Sequence, residues 1–268
     1  MLPEPRLALN ELLKERTLLW HKIAENHYVD EFEVRRLFNK LDRLITDPGA
    51  EFSIAPAALH EQAYLYAYQM KTSNALRLFE DARRAGLDGL AVSISTAHAL
   101  YICGEVEMSR EEILRTDYSD ANNRGLSGLA DTCVHTGLLK MARDLYIRSG
   151  KQGGEVSTQV LRAAEIMDQI GATDEQVMRR IATAAKIIKS MSAHPFIAFD
   201  LFAMQGEGIL YRFVVNGSTE RLVEIDMAID EALIADFDEE IDDVLSIGIA
   251  PYEFGSNMLA ADGYYVGV

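Results

Sequence analysis

Residues Leu59–Gly86, LHEQAYLYAYQMKTSNALRLFEDARRAG, hold two apolar runs of helical period with a turn at Lys71 between them. Leu59, Ala63 and Tyr66 share a face of the first run, and Ala75 and Phe79 share a face of the second, as three- and four-residue spacings do on a helix. The same beat recurs down the chain. Ala63, Ala97, Ala130 and Ala164 are separated by 34, 33 and 34 residues, and turns follow at Lys71, Gly104, Gly137 and Gly171. Glycine suits a helix end because it takes the left-handed conformation without steric cost. After each turn a second helix is expected, over NALRLFEDARRAG, EVEMSREEILRT, LLKMARDLYIRSG and TDEQVMRRIATAAKIIKSM. One such hairpin cannot bury its own apolar face, so successive hairpins stack and share a core.

Over residues 55–190 this pattern resembles the tetratricopeptide repeat family. The order of large and small residues on the first helix is carried by Leu59, Ala63 and Tyr66 in the first unit and by Leu126, Leu129, Ala130 and Cys133 in the third. On the second helix, Ala75 with Phe79 and Ala142 with Tyr146 carry the small-then-aromatic order. The second unit departs from it with Ser93 and with Ser109 before Ile113, the fourth with Gln176 and Arg180, and the late proline of the family is missing from all four. Another kind of αα-hairpin repeat fits the same spacing. The resemblance implies a concave surface lined by the first helices, with His60, Tyr64, Tyr68, His98, Tyr101, Arg124, Asp131, His135, Glu165 and Asp168 facing it. Aromatic, histidine and charged side chains in one row suit contact with a peptide. The competing expectation is that some of the tyrosines pack between neighbouring helices.

Two further helical patterns, over residues 7–25 and 31–46, precede the repeats and are expected to cap the open end of the stack, with Asp47-Pro-Gly as the stop. Near Ser192-Ala-His-Pro the period changes. PFIAFDLFAM, GILYRFVVNG, STERLVEIDMAI, VLSIGIA and GYYVGV read as strands, with a turn at Gln205–Gly208 and a hairpin at Asn216-Gly217. Val223, Ile225, Met227 and Ile229 alternate with Glu224, Asp226 and Ala228, the mark of a strand with one wet face. The fold class expected is mostly α: a capping hairpin over 1–50, four tetratricopeptide-like repeats over 55–192, and a small antiparallel α+β domain over 193–268.

Charge is unevenly placed. Of a net −16, residues 222–268 contribute 12 Asp and Glu and no Lys or Arg. The peak is Ala235–Val244, ADFDEEIDDV. As a calcium loop it fails, because counting from Asp236 the sixth residue is Ile241, where glycine is needed, and the twelfth is Ile247, where glutamate is needed. A catalytic carboxylate pair would need environments that push two pKa values apart, whereas consecutive acids in a connecting segment stay hydrated. Asp236 or Asp238 would serve as a helix cap. Asp131, His135 and His98 form a geometrically conceivable three-ligand set, but groove histidines account for them as well. There is no Gly-x-Ser-x-Gly elbow and no phosphate-binding glycine loop, and Cys103 and Cys133 occupy packing positions.

No apolar run reaches the length of a membrane span, and the N-terminal MLPEPRLALNELLKER lacks the basic start and unbroken apolar run of a signal peptide. A cytoplasmic protein is expected. The function expected is non-enzymatic, with no catalytic residue, metal or cofactor: an adaptor, chaperone or regulator that binds a protein or peptide through the groove. A second contact surface comprises Glu224, Asp226, Asp236, Asp238, Glu239, Glu240, Asp242 and Asp243. Partners with a basic surface are favoured and direct nucleic-acid binding is not. The alternatives are an acidic inhibitor or immunity protein that blocks a basic partner, and an enzyme with its site between the repeats and the C-terminal domain.

Overall fold

The structure, a computed structural model, describes residues 5–26, 28–46, 54–192, 194–215, 217–251 and 258–259. Helices α1 (Pro5–Asn26) and α2 (Glu31–Thr46) pack on each other and on α3 (Ile54–Tyr68). Three hairpins then follow in succession: α3 with α4 (Thr72–Arg84), α5 (Gly89–Ile102) with α6 (Val106–Arg115), and α7 (Asn123–His135) with α8 (Leu139–Ser149). The fourth pair is split. Helix α9 (Glu155–Gln169) packs on α8 and on the strand β1 (Ala198–Met204), whereas α10 (Asp174–Met191) leaves α9 and packs on α6, α8 and the C-terminal elements.

Local chemistry sets these boundaries. Asp88 and Asn122 cap α5 and α7 by accepting from Ala91 N at 2.8 Å and Gly125 N at 2.9 Å, and Thr173 with Gln176 forms a capping box on α10. Gly104, Gly137 and Gly171 end their helices with φ of 70°, 80° and 69°. At Gly137 the turn is also tight, since a Cβ there would lie 2.9 Å from Ile181 Cδ1. In the first unit the position equivalent to these glycines, seven residues after the repeat alanine, is Met70 and not the expected Lys71, and Met70 takes the same left-handed conformation with φ of 56°. The Asp47-Pro-Gly stop lies outside the described residues.

Beyond α10, β1 and β2 (Gly208–Val215) form an antiparallel hairpin, with Ala198 opposite Val214 and Met204 opposite Gly208. Its turn is the expected Gln205–Gly208. Two expectations fail here. The run over Thr219–Asp236 is a helix, α11, not a strand. The alternation of Val223, Ile225, Met227 and Ile229 overlaps a helical stripe of Leu222, Ile225, Ile229 and Leu233 that packs inward, while Val223 and Met227 are exposed, and Ser218 caps the start by accepting from Arg221 N. The sheet is therefore mixed. Strand β3 (Leu245–Pro251) lies parallel to β2, a pairing that needs a crossover of a dozen or more residues, which α11 supplies. Met258–Leu259, β4, pairs antiparallel with β1, and the order is β3-β2-β1-β4. Asn216 and the run GYYVGV lie outside the described residues.

One continuous apolar core runs from Leu9 in α1 through α3, α5 and α7 to Ile247 in β3. Among the described residues no helix is long and apolar enough to cross a membrane.

Candidate functional site

The row of first-helix residues expected to line a groove is covered. His60, Tyr64, Tyr68, His98, Tyr101 and His135 are all at most 4% exposed, so they do not face an open surface. At one end α1 lies over them: Arg16 Nη1 donates to Tyr68 Oη at 2.5 Å, Arg16 pairs with Glu61 and stacks over the Tyr64 ring, and Trp20 stacks on Tyr68. At the other end the sheet closes on the row. Phe196 meets Tyr101 and Phe199 meets His135, both edge-to-face, and Phe196 N donates to Ile102 O at 2.9 Å. Between these ends, Tyr64 Oη and His98 Nδ1 share a hydrogen bond of 3.2 Å, and His135 stacks on both His98 and Tyr101. His60 bonds Glu61 at 2.9 Å and Ser95 at 2.8 Å. The physical reason was readable: α5, GLAVSISTAHALYI, carries no Asp, Glu, Lys or Arg, and a helix apolar on every side belongs in an interior.

Electrostatics in this seam follow from burial. Removal from water holds His98 well below the ordinary histidine value, with His135 and Arg16 adding like-charge repulsion, and burial takes His135 down to about 3. Burial is the largest influence on Arg16 and Glu61 and opposes both charges, but their mutual attraction together with Tyr68 and Tyr64 around Arg16 and His60 beside Glu61 outweighs it and keeps both ionised. His98 Nε2 and His135 Nδ1 have no hydrogen-bond partner among the described residues. The remaining row residues lie elsewhere. Asp131 accepts from Tyr146 Oη at 2.6 Å and from Lys151, Asp168 pairs with Lys140 and Arg143, and Arg124 and Glu165 are exposed. Asp131, His135 and His98 do not make a ligand set, and among the described residues no group of three or more His, Cys, Asp or Glu is placed to hold a metal ion.

The acidic stretch lies against α10. Arg180, 1% exposed, donates from Nε to Asp242 Oδ1 at 2.5 Å, from Nη2 to Asp242 Oδ2 at 2.7 Å and from Nη1 to Glu239 Oε2 at 3.1 Å. Gln176 Nε2 also reaches Glu239, at 3.3 Å. Phe237 lies under the guanidinium groups of Arg180 and Arg179, with 4.4 and 5.1 Å to the ring centre. Ile241, 1% exposed, anchors the short 3₁₀ turn Glu240–Asp243. The Arg180 bond is the main force holding the Asp242 carboxyl below its usual range. Asp226 is also committed, accepting from Ile249 N at 3.0 Å on the outer edge of β3. Glu224 pairs with Arg221. Asp236 ends α11 rather than starting a helix, and Asp238 caps none. The exposed Asp236, Asp238, Glu240 and Asp243 have no cationic partner among the described residues.

Beside this stretch is a cleft of about 490 Å³ between α10, α11 and β3. It is lined by Leu233, Ile234, Phe237, Leu245 and Ile247, with Asp230, Asp238 and Asp242 as its carboxylates and Arg180 as its cation. From it, an apolar row runs outward along α11. Val223, Met227 and Ile234 are 52, 58 and 81% exposed. Arg180, Phe237 and Ile234 are absent from the site expected from sequence.

No family model matches the chain, and comparison with curated proteins and with solved structures likewise yields no match.

Proposed function

We propose that this chain is a non-enzymatic, protein-binding adaptor or regulator that meets a partner through the acidic face formed by α11 and the turn that follows it. One observation carries the reading: the row expected to bind is filled by α1 and the sheet, whereas the acidic face retains an open cleft beside exposed apolar side chains. Asp236, Asp238, Glu240 and Asp243 would speed encounter with a basic surface, and the apolar side chains would supply affinity once it docks. The helical part we read as degenerate tetratricopeptide-like units. In support, Ala63, Ala97, Ala130 and Ala164 are each 0% exposed at the corresponding point of α3, α5, α7 and α9. Cys103 and Cys133, free and buried, fit a reducing compartment such as the cytosol.

The test is recovery of partners from the native cell with the full chain and with a variant carrying Asp236→Asn, Asp238→Asn, Glu240→Gln and Asp243→Asn. Glu239 and Asp242 are left in place because they hold Arg180. A partner recovered by the full chain and lost from the variant supports the proposal; equal recovery by both would sink it. A second reading, an inhibitor that imitates a polyanion, draws on the same four unpaired acids. It predicts loss on neutralising them and no effect from changes at Met227 or Ile234.

A further inference from the structure

Resting on that protein-binding reading, we infer that the occupant of the α11 face is a cationic amphipathic helix of another protein, seated with its apolar stripe on Val223, Met227 and Ile234. These three side chains, with Asp230, stand one helical turn apart in sequence along α11, the periodicity that an apposed helix matches. Glu220, Glu224 and Glu231 border the row along one side and Asp230 stands within it, whereas Arg221, the only base of α11, pairs with Glu224 and donates to Met191 O. A helix with Leu or Met along one stripe and Lys or Arg beside it complements this face in both apolarity and charge. The row ends at Ile234, which also walls the cleft, so one Lys or Arg of the occupant has a place to lay its aliphatic stem on Leu233 and Ile234 and its cation near Asp230 and Asp238.

Charge excludes the competing occupants. A second copy would bring one acidic row against another. Residues 252–268 contain two acids and no base, so the chain's own C-terminal segment offers no cation. Nucleic acid would be repelled.

The probe is a synthetic helical peptide with a leucine stripe flanked by Lys and Arg, titrated into the full-length protein by calorimetry alongside a scrambled peptide of the same composition. The ordered peptide is expected to bind about tenfold tighter than the scrambled one. Ile234→Glu, at an exposed position and with its fold checked by circular dichroism, is expected to weaken it by about tenfold or more. Equal binding of the two peptides, or indifference to Ile234→Glu, would show charge attraction alone and overturn the inference. Concentration-dependent self-association abolished by Ile234→Glu would overturn it in favour of a second copy. If the peptide fails while the acid-dependent cellular partner is still recovered, the inference falls and the broader protein-binding reading survives.

Discussion

Acidification should destabilise this protein well before its carboxylates titrate, because two buried histidines are held neutral in the native state. His98 faces His135 on α7, Tyr64 on α3 and Arg16 on α1; His135 is enclosed by Tyr101, His98 and Phe199. Both have folded-state pKa values depressed by burial, His135 to about 3. With the unfolded value near 6.5, the unfolded chain binds the extra protons, so stability is complete above about pH 6.5 and is lost as pH falls toward the folded values. Each group then costs about 1.4 kcal/mol per pH unit. From pH 7 to pH 5 His135 alone removes about 2 kcal/mol, a real share of the roughly 5–15 kcal/mol that holds a domain folded, and His98 adds a loss of the same sign. Asp174, whose carboxyl is raised by burial, contributes with the opposite sign. Urea unfolding at pH 7 and pH 5 measures the loss. His135→Phe keeps the packing between Tyr101 and Phe199 and removes one proton site, so the loss should shrink by about 2 kcal/mol. An unchanged pH dependence in that variant, or a His135 imidazole that titrates near 6.5 by NMR, would refute the reasoning.

Two further outcomes follow from the ion pairs. Glu61→Gln leaves the Arg16 guanidinium, 3% exposed, without its counter-charge and should cost about 3–5 kcal/mol in denaturant unfolding, most of it recovered by adding Arg16→Met. Asp242→Asn leaves Arg180, whose side chain is 2% exposed, with Glu239 alone as its counter-charge, whereas Arg180→Met frees two carboxylates that are each 36% exposed and can rehydrate. Loss of the carboxylate should therefore cost about 2–3 kcal/mol and loss of the arginine about 1 kcal/mol. The reverse order would mean that Arg180 is wetter than its surroundings indicate.

The helical part was legible because its signal is periodic and local. Four alanines at a common spacing and glycines with positive φ after three of them each act within a few residues of where they stand, whereas the caps Asp88, Asn122 and Thr173 emerge only in the structure. The C-terminal part was not legible in the same way. Val223, Ile225, Met227 and Ile229 satisfy a period of two, while Leu222, Ile225, Ile229 and Leu233 in the same run satisfy one of 3.6, and only the packing of Ile225 and Ile229, with Val223 and Met227 left exposed, separates the two. The groove row failed for a different reason. Which face of a helix is open depends on what else the chain lays over it, and Arg16, Trp20, Phe196 and Phe199 come from outside the repeats. Even so, the absence of any charged side chain from α5 already argued against a wet face.

The departures from the repeat pattern prove more informative than the matches. In the fourth unit Gln176 and Arg180 stand where a small residue and an aromatic are wanted, which read on sequence as decay of the motif. In the fold those two side chains receive Glu239 and Asp242. A small-and-aromatic pair there would pack α10 closely onto α9; the polar pair instead accompanies a helix that leaves α9 and packs against α11 and β3. The same exchange changes the meaning of the acidic segment. Its bases are missing only along the sequence, since Arg179 and Arg180 meet it in space. Two of its six carboxylates are spent on holding the turn, and four remain outside the pairing. Neutralising Glu239 and Asp242 should therefore register in stability, while neutralising Asp236, Asp238, Glu240 and Asp243 should register in binding, and variants confined to each set separate the two roles.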